Sequence, residues 1–117
     1  MRVLLVDDEK EFVTTLAERL SFRGVTADYA VLPQDALTLA EKNAYDLAIL
    51  DMKMPGTSGL ELKAMLEKIQ KGMRFIFLTG HGSEADYFAG SSESACYLVK
   101  PVNIETLIAK MHEAVKP

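Results

Sequence analysis

A chain of 117 residues, 49% of them hydrophobic, is the size of one domain with a real core and too small for two. A formal net charge of −4 and a sequence pI of about 5.1 argue against a nucleic-acid-binding surface, which is normally basic. Cys96 is the single cysteine, which excludes a disulfide within the chain, and no apolar run approaches the roughly 20 residues that span a bilayer. The expectation is one domain over 1–117, cytoplasmic, with no membrane contact and no direct nucleic-acid binding.

The first apolar run, Val3 to Val6, reads as a strand. It meets Asp7 and Asp8 at once, which does not fit a signal peptide. Phe12, Val13, Leu16 and Leu20 then recur at helical spacing, and Gly24 can end that helix. Val25 to Tyr29 reads as a second strand. Pro33 suits the first turn of a second helix, which carries the weaker stripe Ala36, Leu37 and Ala40. Leu47 to Leu50 reads as a third strand ending at Asp51. Ser58 followed by Glu61 is a capping box for a helix striped with Leu62, Met65, Leu66 and Ile69. Phe75 to Leu78 is a fourth strand ending at Thr79. Between Ser83 and Ser94 the chain offers Phe88 and Ala89 and then Gly90 with several serines, so a short, easily remodelled fourth helix is expected. Tyr97 to Val99 is a fifth strand ending at Lys100 and Pro101. Asn103 can cap a last helix carrying Ile104, Leu107, Ile108 and Met111.

Alternating strands and helices predict an α/β domain with a parallel sheet, helices on both faces and almost continuously apolar strands. Ligands of such sheets bind beyond the carboxyl ends of the strands. Asp7, Asp8, Asp51, Thr79 and Lys100 all fall there. Three crowded carboxylates repel one another unless a cation or a proton intervenes, and a hard cation such as Mg²⁺ prefers oxygen ligands. A carboxylate can also act as a nucleophile toward phosphorus, while a hydroxyl and an ammonium stabilise the transferring group. Each residue alone has a blander reading. Asp after a strand is usually a turn or cap residue, Thr79 a strand end, and Lys100 a solvated charge. Their joint occurrence at the ends of different strands is what carries the chemistry. His81 and His112 read as surface residues, since no second His or Cys stands at ligand spacing.

The runs Val3-Leu4-Leu5-Val6-Asp7-Asp8-Glu9, Asp51-Met52-Lys53-Met54-Pro55-Gly56 with Gly59, Leu78-Thr79-Gly80 and Tyr97-Leu98-Val99-Lys100-Pro101 closely resemble the receiver domain of two-component response regulators. The resemblance covers nearly the whole chain. It implies a flavodoxin-like (βα)5 doubly wound fold with strand order 2-1-3-4-5. It implies that Asp51 accepts a phosphoryl group from a phosphohistidine of a sensor histidine kinase or a phosphotransfer protein. By the same resemblance Asp8 and Asp51 ligate Mg²⁺, Asp7 acts largely through water, and the Lys53 backbone carbonyl completes the protein ligands. Thr79 and Lys100 contact phosphoryl oxygens, and Thr79 and Tyr97 act as the switch pair. The fourth helix, fifth strand and last helix would present the altered surface to an effector domain or protein, or to a second copy in a homodimer formed on phosphorylation. By the same resemblance Lys53 and His81 would stand beside the phosphoryl group and tune its lifetime, the blander reading being that both point to solvent. Ser58, where the family often has Asp, and Ser94, where it usually has Gly, depart from the common pattern.

Two rival classes can be weighed on the residues. A haloacid-dehalogenase-type phosphatase wants a second Asp two residues after the nucleophile, and that position is Lys53. A flavin mononucleotide carrier wants a phosphate-cradling loop after the first strand, where Asp7-Asp8-Glu9 would repel a phosphate. The expectation is therefore a phosphoacceptor and not an enzyme acting on external substrates, with only self-catalysed phosphotransfer and slow autodephosphorylation. A stand-alone receiver and the receiver of a longer regulator both remain open.

Overall fold

The computed structural model describes residues 1–80 and 96–116. Five strands, β1 (Arg2–Val6), β2 (Thr26–Ala30), β3 (Leu47–Asp51), β4 (Arg74–Thr79) and β5 (Cys96–Val99), form one sheet. They lie in the order β2-β1-β3-β4-β5 and every pairing is parallel. This is the flavodoxin-like order expected. Three helices, α1 (Lys10–Ser21), α2 (Pro33–Lys42) and α3 (Gly59–Ile69), and a last helix, Ile104–Val115, cover the sheet. Two short strands, Lys53–Met54 and Thr57–Ser58, make a separate antiparallel hairpin. The segment 83–94, where a short helix was expected around Phe88 and Ala89, lies outside the described residues, as do His81 and Ser94. No helix among the described residues is long and apolar enough to cross a membrane.

Strand alternation sorts the core into two layers. Leu4, Val6, Ala48, Leu50 and Phe77 face Ala36 and Ala40 of α2 and Leu62 and Leu66 of α3. Val3, Leu5, Leu47, Ile49, Ile76 and Leu78 face Val13, Leu16 and Leu20 of α1 and Leu107 and Met111 of the last helix. The helix ends follow local chemistry. Ser58 and Glu61 close a reciprocal capping box on α3, and Asn103 accepts from the N–H groups of Glu105 and Thr106. Pro33 opens α2, and Gly24, at φ +79°, supplies the left-handed turn after α1.

Three expectations need correction. β2 begins at Thr26, not Val25, because the Val25 N–H is used to close α1 on the Leu20 carbonyl. The strands are not uniformly buried: β3 is, and β1 is apart from a half-buried Arg2, but the edge strand β2 carries an exposed Thr26 and a half-buried Asp28, and β5, at the other edge, is half-buried with an exposed Val99. In α3 the buried line is Gly59, Leu62 and Leu66, while Met65 and Ile69 are exposed. Met65 precedes Leu66 and so lies about 100° round the helix, away from the sheet.

Candidate phosphoacceptor and metal site

The polar strand ends meet on one edge because the parallel ladders run past the apolar runs. The Asp7 N–H donates to the Ala30 carbonyl, the Met52 N–H to Leu78, and the Lys100 N–H to Thr79. These bonds join the ends of β1 to β2, β3 to β4 and β4 to β5, and the pairing of Val6 with Leu50 sets β1 beside β3. Asp7, Asp51 and Thr79 are buried there, whereas Asp8 is exposed. One carboxylate oxygen each from Asp7, Asp8 and Asp51 lies within 4.8 Å of the other two. The Lys100 ammonium reaches the cluster from β5. It is 2.7 Å from Asp7 Oδ2 and 3.9 Å from Asp51 Oδ1, and the peptide that follows it, Lys100–Pro101, is cis.

The backbone after β3 is shaped to hold Asp51. The Lys53 N–H donates to Asp51 Oδ1 at 3.4 Å, and Lys53 then pairs with Ser58 across the hairpin. Gly56, at φ +80°, provides the turn conformation after Pro55 that side chains disfavour. Gly59 returns the chain beneath the site, where its N–H donates to the Met52 carbonyl at 3.0 Å. A Cβ on Gly59 would sit 2.7 Å from the Asp51 carbonyl oxygen and 3.1 Å from Met52 Cα. Both are backbone atoms, so Gly59→Ala is expected to push the end of β3 aside. Denaturant unfolding should register a loss of about 1–3 kcal/mol, the usual scale for overpacking. An unchanged midpoint would contradict this close packing.

The electrostatics are those of too many anions in too little water. Burial, followed by the Asp7 charge, pushes the Asp51 carboxyl up to about 7, against the pull of Lys100 and the Lys53 N–H. Burial also raises the Asp7 carboxyl, although Lys100 and the Glu9 N–H oppose it. Lys100 is held above its ordinary value because bonds to Asp7 and Glu9 outweigh its own burial. A hard, oxygen-preferring cation fits this donor set: the oxygens are close together, deficient in positive charge, and partly open to solvent through Asp8.

The sequence profile of the family described as the response regulator receiver domain matches residues 3–112. The chain belongs to that family. The receiver domain is 32% identical over 112 residues to the transcriptional regulatory protein TcrA of Mycobacterium tuberculosis, covering 95% of this chain and 44% of that protein. It thus spans less than half the length of this relative. A CheY-like receiver domain protein from Methanospirillum hungatei superposes with a TM-score of 0.84 at 31% identity, over 97% of this chain and 92% of that one. A response regulator from Burkholderia pseudomallei, described with a phosphorylated aspartic acid, a calcium ion and citrate, superposes with a TM-score of 0.79 at 31% identity. That match covers 98% of this chain and 66% of the other.

Tyr97 of the receiver domain follows the strand alternation of β5. It packs, half-buried, against the layer of α2 and α3, with its ring stacked on Phe77 at 5.2 Å, while Leu98 turns to the opposite layer. Two neighbours of the site were missed in the sequence. Glu9 Oε1 lies 2.7 Å from the Lys100 ammonium, which also sits 4.6 Å from the centre of the Phe12 ring. Phe12 was read only as a core residue of α1, and nothing local in Glu9 points to a lysine at the far end of the chain.

Proposed function

We propose that this receiver domain is a phosphorylation-dependent switch in which Asp51 is the phosphoacceptor. The observation that carries the reading is a buried Asp51 at a strand end, beside the oxygens of Asp7 and Asp8 and 3.9 Å from Lys100. An Asp51 oxygen forms the new bond to phosphorus as the bond from phosphorus to the donor breaks. The electron pair leaves with the donor, an imidazole of a histidine kinase or phosphotransfer protein, or acetate from acetyl phosphate. Lys100 and the Thr79 hydroxyl donate to the phosphoryl oxygens. Asp7, Asp8, Asp51 and the Lys53 carbonyl would hold Mg²⁺, which when bound supplies positive charge to offset the carboxylates and the transferring group. The likeness to a regulator that carries a phosphorylated aspartic acid and a calcium ion supports this assignment.

The added phosphoryl carries nearly two negative charges, enough to bias a two-state element. The output runs through Thr79 and Tyr97 to β5 and the last helix, where an effector domain or a second copy docks. The receiver domain turns over no external substrate beyond its phosphodonor. Incubation with acetyl phosphate and Mg²⁺ should add about 80 Da, one phosphoryl unit, to the intact mass. Steady hydrolysis of small phosphoesters without that adduct would point instead to a phosphatase.

A further inference from the structure

Lys100 does not face Asp51 as closely as its other partners. An ammonium has three donors. Asp7 Oδ2 and Glu9 Oε1 each stand 2.7 Å from it, and the Phe12 ring covers a further side at 4.6 Å. Asp51 Oδ1, at 3.9 Å, is beyond hydrogen-bond reach. The contacts with Asp7 and Glu9 draw the ammonium away from Asp51, and loosening one of them lets Lys100 approach a phosphoryl group there. The Asp7 side chain is only 3% exposed, whereas that of Glu9 is 63% exposed and can exchange Lys100 for water. Glu9 is also outside the carboxylate cluster that fits a metal. Its side chain makes no capping bond to α1, although the residue occupies the cap position.

Resting on the switch reading above, we infer that Glu9 is a positioning residue. It holds Lys100 off the phosphoacceptor in the resting protein and releases it for phosphorylation. Glu9 therefore slows the first step without touching the reacting atoms. Glu9→Gln removes the charge. Glu9→Asp keeps the charge but shortens the reach by one methylene, and an aspartate here can turn back to cap α1. Both changes should speed phosphorylation by acetyl phosphate and Mg²⁺ by about two- to fivefold, the range of a partly exposed ion pair. Glu11→Gln, which removes a nearby charge from the first turn of α1, should leave the rate unchanged. Acceleration by Glu9→Gln but not Glu9→Asp, or equal acceleration by Glu11→Gln, would mean that only the local field acts, and the inference would be wrong.

A second readout needs no phosphorylation. The ¹⁵N–¹H signal of the Lys100 ammonium in the resting protein should show slowed hydrogen exchange that is lost in both Glu9 variants and kept in Glu11→Gln. An exchange rate indifferent to Glu9 overturns the inference directly. Failure of the wild-type protein to be phosphorylated, with the Lys100 signal still protected by Glu9, instead sinks the switch reading, and the gating role falls with it.

Discussion

Asp51→Asn is expected to abolish labelling by acetyl phosphate while leaving the protein folded. The amide oxygen is not an anion and forms no stable acyl phosphate, so the adduct of about 80 Da should disappear. Loss of structure does not explain this outcome. Asp51 is buried beside Asp7, and its carboxyl is pushed up to about 7, first by burial and then by that neighbouring charge. A neutral amide of the same shape removes the repulsion. Above neutral pH and without metal, the variant should therefore unfold no earlier than the parent. Intact-mass spectrometry together with a thermal melt gives both answers from one sample. Persistent labelling of a folded Asp51→Asn protein would remove Asp51 from its role, and an unfolded variant would contradict the electrostatic account.

Without Mg²⁺, stability should fall as the pH rises from about 4 to about 7. The folded Asp51 keeps its proton up to about 7, whereas the unfolded carboxyl loses it near 3.8. Between those values the native state binds more protons than the unfolded state, so each rise in pH favours unfolding. The raised Asp7 carboxyl adds to the fall in the same direction. Lys100, also raised, contributes stability that is present in this window and lost only in strongly alkaline solution. The loss should reach a few kcal/mol, since one pKa unit is about 1.4 kcal/mol.

A cation that binds the deprotonated carboxylates should reverse that loss by mass action. Millimolar Mg²⁺ is expected to raise the melting temperature by about 5 °C or more at pH about 8, and by much less at pH about 5. Asp51→Asn should flatten the pH dependence in EDTA and shrink the Mg²⁺ effect. Melting temperatures in EDTA and in Mg²⁺ across this range decide the matter. A Mg²⁺ shift equal at both pH values would show that the metal binds elsewhere.

Most of the fold was legible because its signals are local. Alternating apolar runs marked the strands, Pro33, Ser58 with Glu61 and Asn103 marked the helix starts, and polar residues ended the runs. The misreadings have a common cause in what a segment packs against. Met65 and Ile69 share the helical period of Leu62 and Leu66, but α3 presents too narrow a line to the sheet to bury all four. β2 was counted among the apolar runs although Thr26 and Asp28 interrupt it, and the pairing order places it at an edge, where polar residues meet solvent. Asp7, Asp8, Asp51, Thr79 and Lys100 could be nominated because strand ends are predictable positions. Glu9 could not be assigned a partner, because its contact with Lys100 joins residues 91 positions apart and depends on the register between strands.

The sheet divides the interior into two compartments with little shared furniture. α2 and α3 lean on one wall, α1 and the last helix on the other, and a residue of β1, β3 or β4 serves only the side to which it points. Changes on opposite sides of such a wall should combine independently, as separated sites generally do. Asp7, Asp51 and Thr79 sit on the rim, where the wall ends and neither compartment owns them. The helices of one side can therefore be reshaped toward new partners over evolutionary time while the rim, anchored by strand-to-strand bonds, keeps its chemistry.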